Sequence, residues 1–175
     1  VANGTTYQFN VKETDLAGNT SEATSNFVVT GDTTAPTASV TTATITNSSN
    51  AVVQSTETGT AYLVKTTVSV SNLASITGAA DSQWNSVAIS SANTNTNLAA
   101  TGLVDGTYKV YAVDAAGNLS SASTNSVTID TTAPTASVTT ATITTSGNAV
   151  VQSTETGTAY LVKTTVSVSN LASIT

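Results

Sequence analysis

Apolar and polar positions alternate with a period of two through most of this chain, and no useful length follows the 3.6-residue period of a helix. The stretch from Pro36 to Ile45 alternates and is rich in β-branched residues, which predicts a strand, A. Pro36 is acceptable at a strand start, where no ladder donor is required. After a turn at Asn47–Asn50, Ala51–Thr56 predicts strand B, and Glu57–Gly59 a tight connection. Thr60–Thr66 predicts strand C, with Tyr62 and Val64 on one face and Ala61 and Leu63 on the other. The period of two continues through Val68–Ser71, and Asn72–Ala80 is read as irregular with a short helical turn. Trp84–Ser90, Leu98–Leu103, Thr107–Asp114 and Ser126–Ile129 predict strands D, E, F and G, with a polar loop at Asn93–Asn97.

The strand pattern repeats. Asp130-Thr-Thr-Ala-Pro-Thr135 lies 98 residues after Asp32-Thr-Thr-Ala-Pro-Thr37, and from there Asp32–Thr77 and Asp130–Thr175 differ only at Asn47/Thr145 and Ser49/Gly147. Asp15-Leu-Ala-Gly-Asn19 precedes the first copy as Asp114-Ala-Ala-Gly-Asn118 precedes the second. A period near a hundred residues suits a self-sufficient domain rather than a solenoid coil of about 20–50 residues. The chain is therefore divided into residues 1–31, the C-terminal part (strands F and G) of one repeat, residues 32–129, a complete repeat, and residues 130–175, the N-terminal part (strands A to C) of the next. It is read as a window on a longer array.

Seven short strands with turns between them, in about a hundred residues, predict an all-β fold of tandem immunoglobulin-like sandwiches with Greek-key connections. Tyr108, just after the Asp105-Gly106 turn and at the start of strand F, stands where a tyrosine corner would form, and Tyr7 takes the same place in the preceding repeat. Two extra residues separate Tyr7 from Asp15, so that hairpin is expected to differ in length or register.

Composition narrows the function. Charged residues are 8% of the chain, against about 25% in an average soluble domain. Yet 39% are hydrophobic, which argues against disorder. A net charge of −6, with only four basic residues, argues against nucleic acid and anionic membrane as partners. No apolar run approaches the roughly 20 residues that span a bilayer. Without His or Cys, imidazole or thiolate catalysis and zinc binding are excluded, as is a disulfide framework. A two-carboxylate glycosidase remains formally possible, but repetition suits length better than turnover, and no enzymatic activity is expected.

The terminal V-T-I-D-T-T-A-P-T at Val127–Thr135, the S-T-E-T-G-T-A-Y-L-V run at Ser55–Val64 and the D-A-A-G-N motif at Asp114–Asn118 resemble bacterial immunoglobulin-like repeats of giant surface adhesins. These include RTX-type and biofilm-associated adhesins exported by type I secretion. The resemblance covers the whole chain. It implies an extracellular spacer at the bacterial cell surface, with neighbouring repeats of the same chain as partners and the adhesive target carried elsewhere. It also implies Ca²⁺ at the junctions between repeats.

Topology offers residues for such a site. In the expected sandwich the B–C, D–E and F–G loops share the pole where strand A begins, which gathers Asp32 of the linker, Glu57 and Asp114. Three carboxylates, completed by carbonyls of Thr33, Ala115 or Asn118, would meet the six to eight oxygens that Ca²⁺ takes. Asp130 and Glu155 are the equivalents in the third piece, and Asp15 in the first, each incomplete. On residue type alone, Asp32 and Asp114 equally suit turns, whereas Glu57 does not; the resemblance favours Ca²⁺. Asp105 reads as a turn residue, Asp81 as a surface residue, and Trp84 and Tyr62 as core rather than a sugar-stacking platform. Two other functions stay open: a carbohydrate- or ligand-binding module, and a spacer appended to a secreted hydrolase.

Overall fold

The computed structural model describes residues 1–22 and 25–174. It is all-β, with two compact units, Val1–Thr131 and Thr132–Thr175. The first 31 residues thus group with the complete repeat.

The opening residues form strands β1 (Thr6–Phe9), β2 (Lys12–Thr14), β3 (Thr20–Glu22) and β4 (Phe27–Thr30). β1 pairs antiparallel with β4 and β2 with β3. The complete repeat carries eight strands: β5 (Ala38–Val40), β6 (Ala43–Ile45), β7 (Asn50–Ser55), β8 (Gly59–Lys65), β9 (Trp84–Ile89), β10 (Thr96–Ala99), β11 (Gly106–Asp114) and β12 (Val127–Ile129). They form two sheets, ordered β10-β7-β5 and β6-β12-β11-β8-β9. The buried core, from Ala38 and Val53 on one sheet to Leu63, Tyr108 and Val110 on the other, lies between them.

Expected strand A is two strands. β5 pairs with β7 in one sheet, and β6 pairs in parallel with β12 in the other. The apolar positions explain the switch. Ala38 and Val40 point inward at even numbers, Ala43 and Ile45 at odd numbers, and the phase slips at the exposed pair Thr41-Thr42. Expected strand D, now β9, pairs with β8 and so lengthens the five-stranded sheet. Strand E is displaced and shorter than expected: β10 starts at Thr96, inside the expected Asn93–Asn97 loop, and stops at Ala99, where the Asn85 side chain donates to the carbonyls of Ala99 and Thr101, 3.0 Å each. The polar alternation at Val68–Ser71 forms no strand. The helical turn is a short helix, α1 (Leu73–Thr77), held by a capping box between Asn72 and Ser75.

Tyr108 is fully buried, and its hydroxyl donates to the Val104 carbonyl at 2.6 Å, the expected corner. Tyr62 and Trp84 are not core. They lie on the outer face of the five-stranded sheet, half-buried against each other with ring centroids 6.0 Å apart. Lys65 donates to the Asp105 carbonyl at 2.7 Å, so it is not the free surface charge its type suggests.

Among its described residues the second unit contains two strands, β13 (Ala136–Val138) and β14 (Val151–Ser153), paired antiparallel. The expected strand C of this piece does not form. Residues 158–163 have the sequence of 60–65 without the two neighbouring strands that β8 has in β11 and β9.

Candidate metal centre

Three local structures converge at the pole where β5 begins. The first is the end of β11. Asp114 closes that strand, and the next four residues turn the chain so that Asp114 Oδ1 accepts the Asn118 N–H at 2.9 Å and Oδ2 accepts the Asn118 side-chain amide at 2.8 Å. Gly117 supplies the positive φ of 93° that the turn needs. Burial pushes the Asp114 carboxyl upward, but the Asn118 amide and the N–H groups of Asn118, Ala116 and Gly117 together hold it below the usual carboxylate value.

The second is the β7–β8 connection. Gly59 stands directly opposite Asp114 in the ladder. A Cβ there would collide with the Val113 carbonyl, and φ is 151°, so only glycine lets the two strands start and end so close together. Two residues earlier, Glu57 donates its N–H to the buried Ser55 hydroxyl at 3.2 Å. Thr56 and Thr37 bond reciprocally, Thr37 N–H to Thr56 Oγ1 at 2.8 Å and Thr56 N–H to the Thr37 carbonyl at 3.1 Å, which ties the loop to the start of β5.

The third is the linker. The Asp32 carboxylate accepts the Thr34 N–H at 3.0 Å, and its carbonyl accepts from Asn118 Nδ2 at 3.3 Å. Asn3, behind it, accepts the Thr33 N–H at 3.0 Å and donates to Thr34 Oγ1 at 2.8 Å.

The result is that Asp32, Glu57 and Asp114 each offer a carboxylate oxygen within 4.8 Å of the others. At that separation two unit charges repel by about 3.5 kcal/mol at an effective dielectric of about 20, and by about 0.9 kcal/mol in water. Among the described residues no lysine pairs with any of the three. The donors are all hard oxygens. A Ca²⁺ ion with ligands at about 2.3–2.6 Å has a shell about 4.6–5.2 Å across, so the three oxygens fit one such shell, with carbonyls and water left to complete it.

Among the described residues no second group of three metal-ligating side chains is so placed. Asp15 builds the same turn as Asp114, accepting from Ala17 and Asn19 at 2.9 and 2.8 Å and from the Asn19 amide at 2.8 Å. The Asn19 amide lowers its pKa first, and the backbone N–H groups add to this. Asp130 anchors the end of the complete repeat, its N–H on the Ile45 carbonyl at 2.9 Å. Glu155 repeats the Glu57 bond, to Ser153 Oγ at 3.4 Å. Asp81 is exposed.

Asp105 does more than shape a turn. Its carboxylate accepts both the N–H and the hydroxyl of Thr131, at 3.0 and 2.7 Å, as Asn3 accepts the Thr33 N–H. An Asn or Asp before a glycine at the foot of strand F, paired with the D-T-T linker in both copies, was the signal available for this role. No protein-family model matches the sequence, and none of the curated proteins compared with it matches.

Proposed function

We propose that this chain is a piece of an extracellular spacer array, built of immunoglobulin-like repeats like those of bacterial surface adhesins, in which Ca²⁺ stiffens each junction. The observation that carries this reading is the meeting of a linker carboxylate, Asp32, with two loop carboxylates of the repeat that follows it. A linker of five residues, Asp32–Pro36, has few free dihedrals, and Pro36 fixes one of them. Hydrogen bonds with Asn3 and Asn118 already engage it. A divalent cation held by Asp32, Glu57 and Asp114 would cancel their repulsion and couple the linker to both loops. In this reading the neighbouring repeats are the partners, the chain catalyses no reaction, and adhesion is carried elsewhere.

The test is thermal unfolding of the 175-residue chain in Ca²⁺ and in EDTA. Binding to the folded state alone adds about 2.7 kcal/mol at a hundredfold excess of ion over Kd. For a unit of this size that raises Tm by on the order of 10 °C. Glu57→Gln, which keeps the shape and removes the charge, is expected to abolish the rise. Superimposable curves with and without Ca²⁺ would leave Asp114 as a turn former and the spacer without its metal.

A further inference from the structure

The complete repeat is open along the side of β5. β6 pairs in parallel with β12, Ala43 beside Val127. Carried back along the chain, that register sets Ala38 beside Ala122 and Val40 beside Thr124. No ladder forms there, because β5 has crossed to β7 in the other sheet. The segment before β12 bonds to β11 instead, through the N–H groups of Ser120 and Ser123 to the Ala112 and Val110 carbonyls, 2.8 Å each. Two hollows mark the gap. One, of about 410 Å³, lies between Pro36 and Ala38 on one side and Ala122 and Thr124 on the other. The second, of about 480 Å³, reaches from Val40 and Thr42 to Asn125. Every residue around them lies between Ala35 and Asn125, so the gap belongs to the complete repeat itself.

The edge that borders this gap has a defined hydrogen-bonding pattern. On the β7 side, the Thr56 N–H bonds to the Thr37 carbonyl at 3.1 Å and the Thr41 N–H to the Val52 carbonyl at 2.9 Å. Bonded positions alternate in an antiparallel ladder, so Thr37, Ser39 and Thr41 turn their backbone groups toward β7. Ala38 and Val40 turn theirs the other way, into the gap, while their side chains are buried in the core. Among the described residues nothing bonds to these two N–H groups and two carbonyls. Edge strands are ordinarily defended by a charge, a proline or a bulge. Thr37–Thr42 contains neither charge nor proline, and no ionisable side chain lines either hollow.

We propose that β5 is a docking edge for an extended, uncharged segment of a partner chain, which adds as a fourth strand to the β10-β7-β5 sheet. Two donors and two acceptors in alternation along one edge match the backbone of a strand. A helix does not match them, because its own ladder has used those groups. Antiparallel addition forms four bonds, two at Ala38 and two at Val40. Partner residues opposite these two share their inward face. There they meet Ala122 and Thr124, a wall that is small and neutral. A charged side chain at those positions would lose hydration and gain no counter-charge. The contact uses none of the carboxylates at the pole.

The probe is an acetylated, amidated seven-residue peptide of alternating Thr and Val, added to the whole chain with amide exchange read by NMR. At about 5 mM peptide and a Kd of about 1 mM, about one sixth of the edges stay free. The Ala38 and Val40 amides are therefore expected to slow about sixfold, while the Ser39 amide, already turned to β7, is unchanged. N-methylation of the Val residues should abolish the effect and N-methylation of the Thr residues should not, because only alternate N–H groups face β5. Thr124→Arg fills the gap and should abolish it too, whereas Thr107→Arg, on the outer face of the other sheet, should not; both positions are exposed, so the fold is kept. No slowing, equal slowing at Ser39, equal effects of the two methylation patterns, or binding that survives Thr124→Arg would each overturn the proposal. So would slowing at Ala38 and Val40 that grows with chain concentration in the absence of peptide, which would make a second copy the occupant.

Discussion

Residues 32–77 and 130–175 are the same sequence at all but two positions, yet they do not have the same structure. In the first, residues 59–65 are the seven-residue strand β8; in the second, their counterparts form no strand. The six-residue β7 has a three-residue counterpart in β14, and the helix α1 becomes a single 3-10 turn at Leu171–Ser173. What survives is local. The Asn72–Ser75 capping box recurs at Asn170–Ser173, and the Thr37–Thr56 pair recurs as Thr135 N–H to Thr154 Oγ1 at 2.9 Å. What is lost depends on residues outside the copied stretch, namely β9 and β11. Alternation gives a chain the capacity to be a strand, and a neighbour's ladder makes it one.

The largest change would come from supplying that neighbour. Extending the chain after Thr175 with a copy of Gly78–Ile129 should convert the second unit into a complete repeat. Hydrogen exchange at 158–163 should slow from near the rate of an open chain to that of the β8 amides, by several orders of magnitude. Unchanged exchange there would mean that β8 owes its order to something other than its partners.

Identical substitutions then separate the two copies. Leu63→Ala should cost about 3 kcal/mol in denaturant unfolding, since its side chain is fully buried. Leu161→Ala, at the same place in the same sequence, should change stability by less than about 0.5 kcal/mol. Similar costs for both would show that the second unit has a core of its own.

The two tyrosines make a finer comparison. Tyr108→Phe leaves the Val104 carbonyl without its donor and should cost about 1 kcal/mol. The Tyr7 hydroxyl only accepts an exposed N–H, from Ala2 at 3.2 Å. Tyr7→Phe should therefore leave the unfolding midpoint within error.

The smallest effect is the acid limb. Asp114 is held below its ordinary pKa of 3.8 in the folded state, so it binds its proton less readily there than in the unfolded chain. Its contribution is complete above the unfolded value and is lost as pH falls through the lowered one. In EDTA, Tm measured from about pH 5 downward should fall less steeply in Asp114→Asn than in the wild type. Asp15→Asn should flatten the slope in the same direction but by less, because its turn lies on an exposed hairpin where solvent screens the bonds to Asn19. Equal slopes for wild type and Asp114→Asn would dismiss this linkage.

Much of the architecture was readable from the residues, because strand alternation and turn chemistry are local. Strands B, C, F and G fall within a residue of their expected ends. The gathering of Asp32, Glu57 and Asp114 was also readable, since it needs only the alternation of strand direction. The division of strand A was written in the phase slip at Thr41-Thr42, but a run of β-branched residues hides a slip of one. The outward placement of Tyr62 follows from its parity opposite to that of Ala61 and Leu63, which point into the core, and Trp84 shares its face through the pairing with Val64, a signal outweighed by the usual fate of large aromatics. The bonds of Asn3 and Asp105 to the linker were signalled only by the recurrence of an Asx-Gly pair with the D-T-T linker in both copies, because a single Asx-Gly turn looks the same with or without a third partner.

The parallel pairing of β6 with β12 sets how a repeat resists being pulled. In a chain pulled at both ends, tension would enter through the linker before β5 and leave through Asp130, just after β12; β6 is the first strand after the linker to lie in the sheet of β12. Because β6 and β12 run the same way, opposed forces at those points slide one strand along the other. The rungs between Ala43–Ile45 and Val127–Ile129, with the Asp130 N–H on the Ile45 carbonyl beyond them, are loaded together in shear instead of opening one after another. Forced rupture is governed by the unfolding barrier, not by equilibrium stability. Resistance to load would then be set by these rungs rather than by the size of the core.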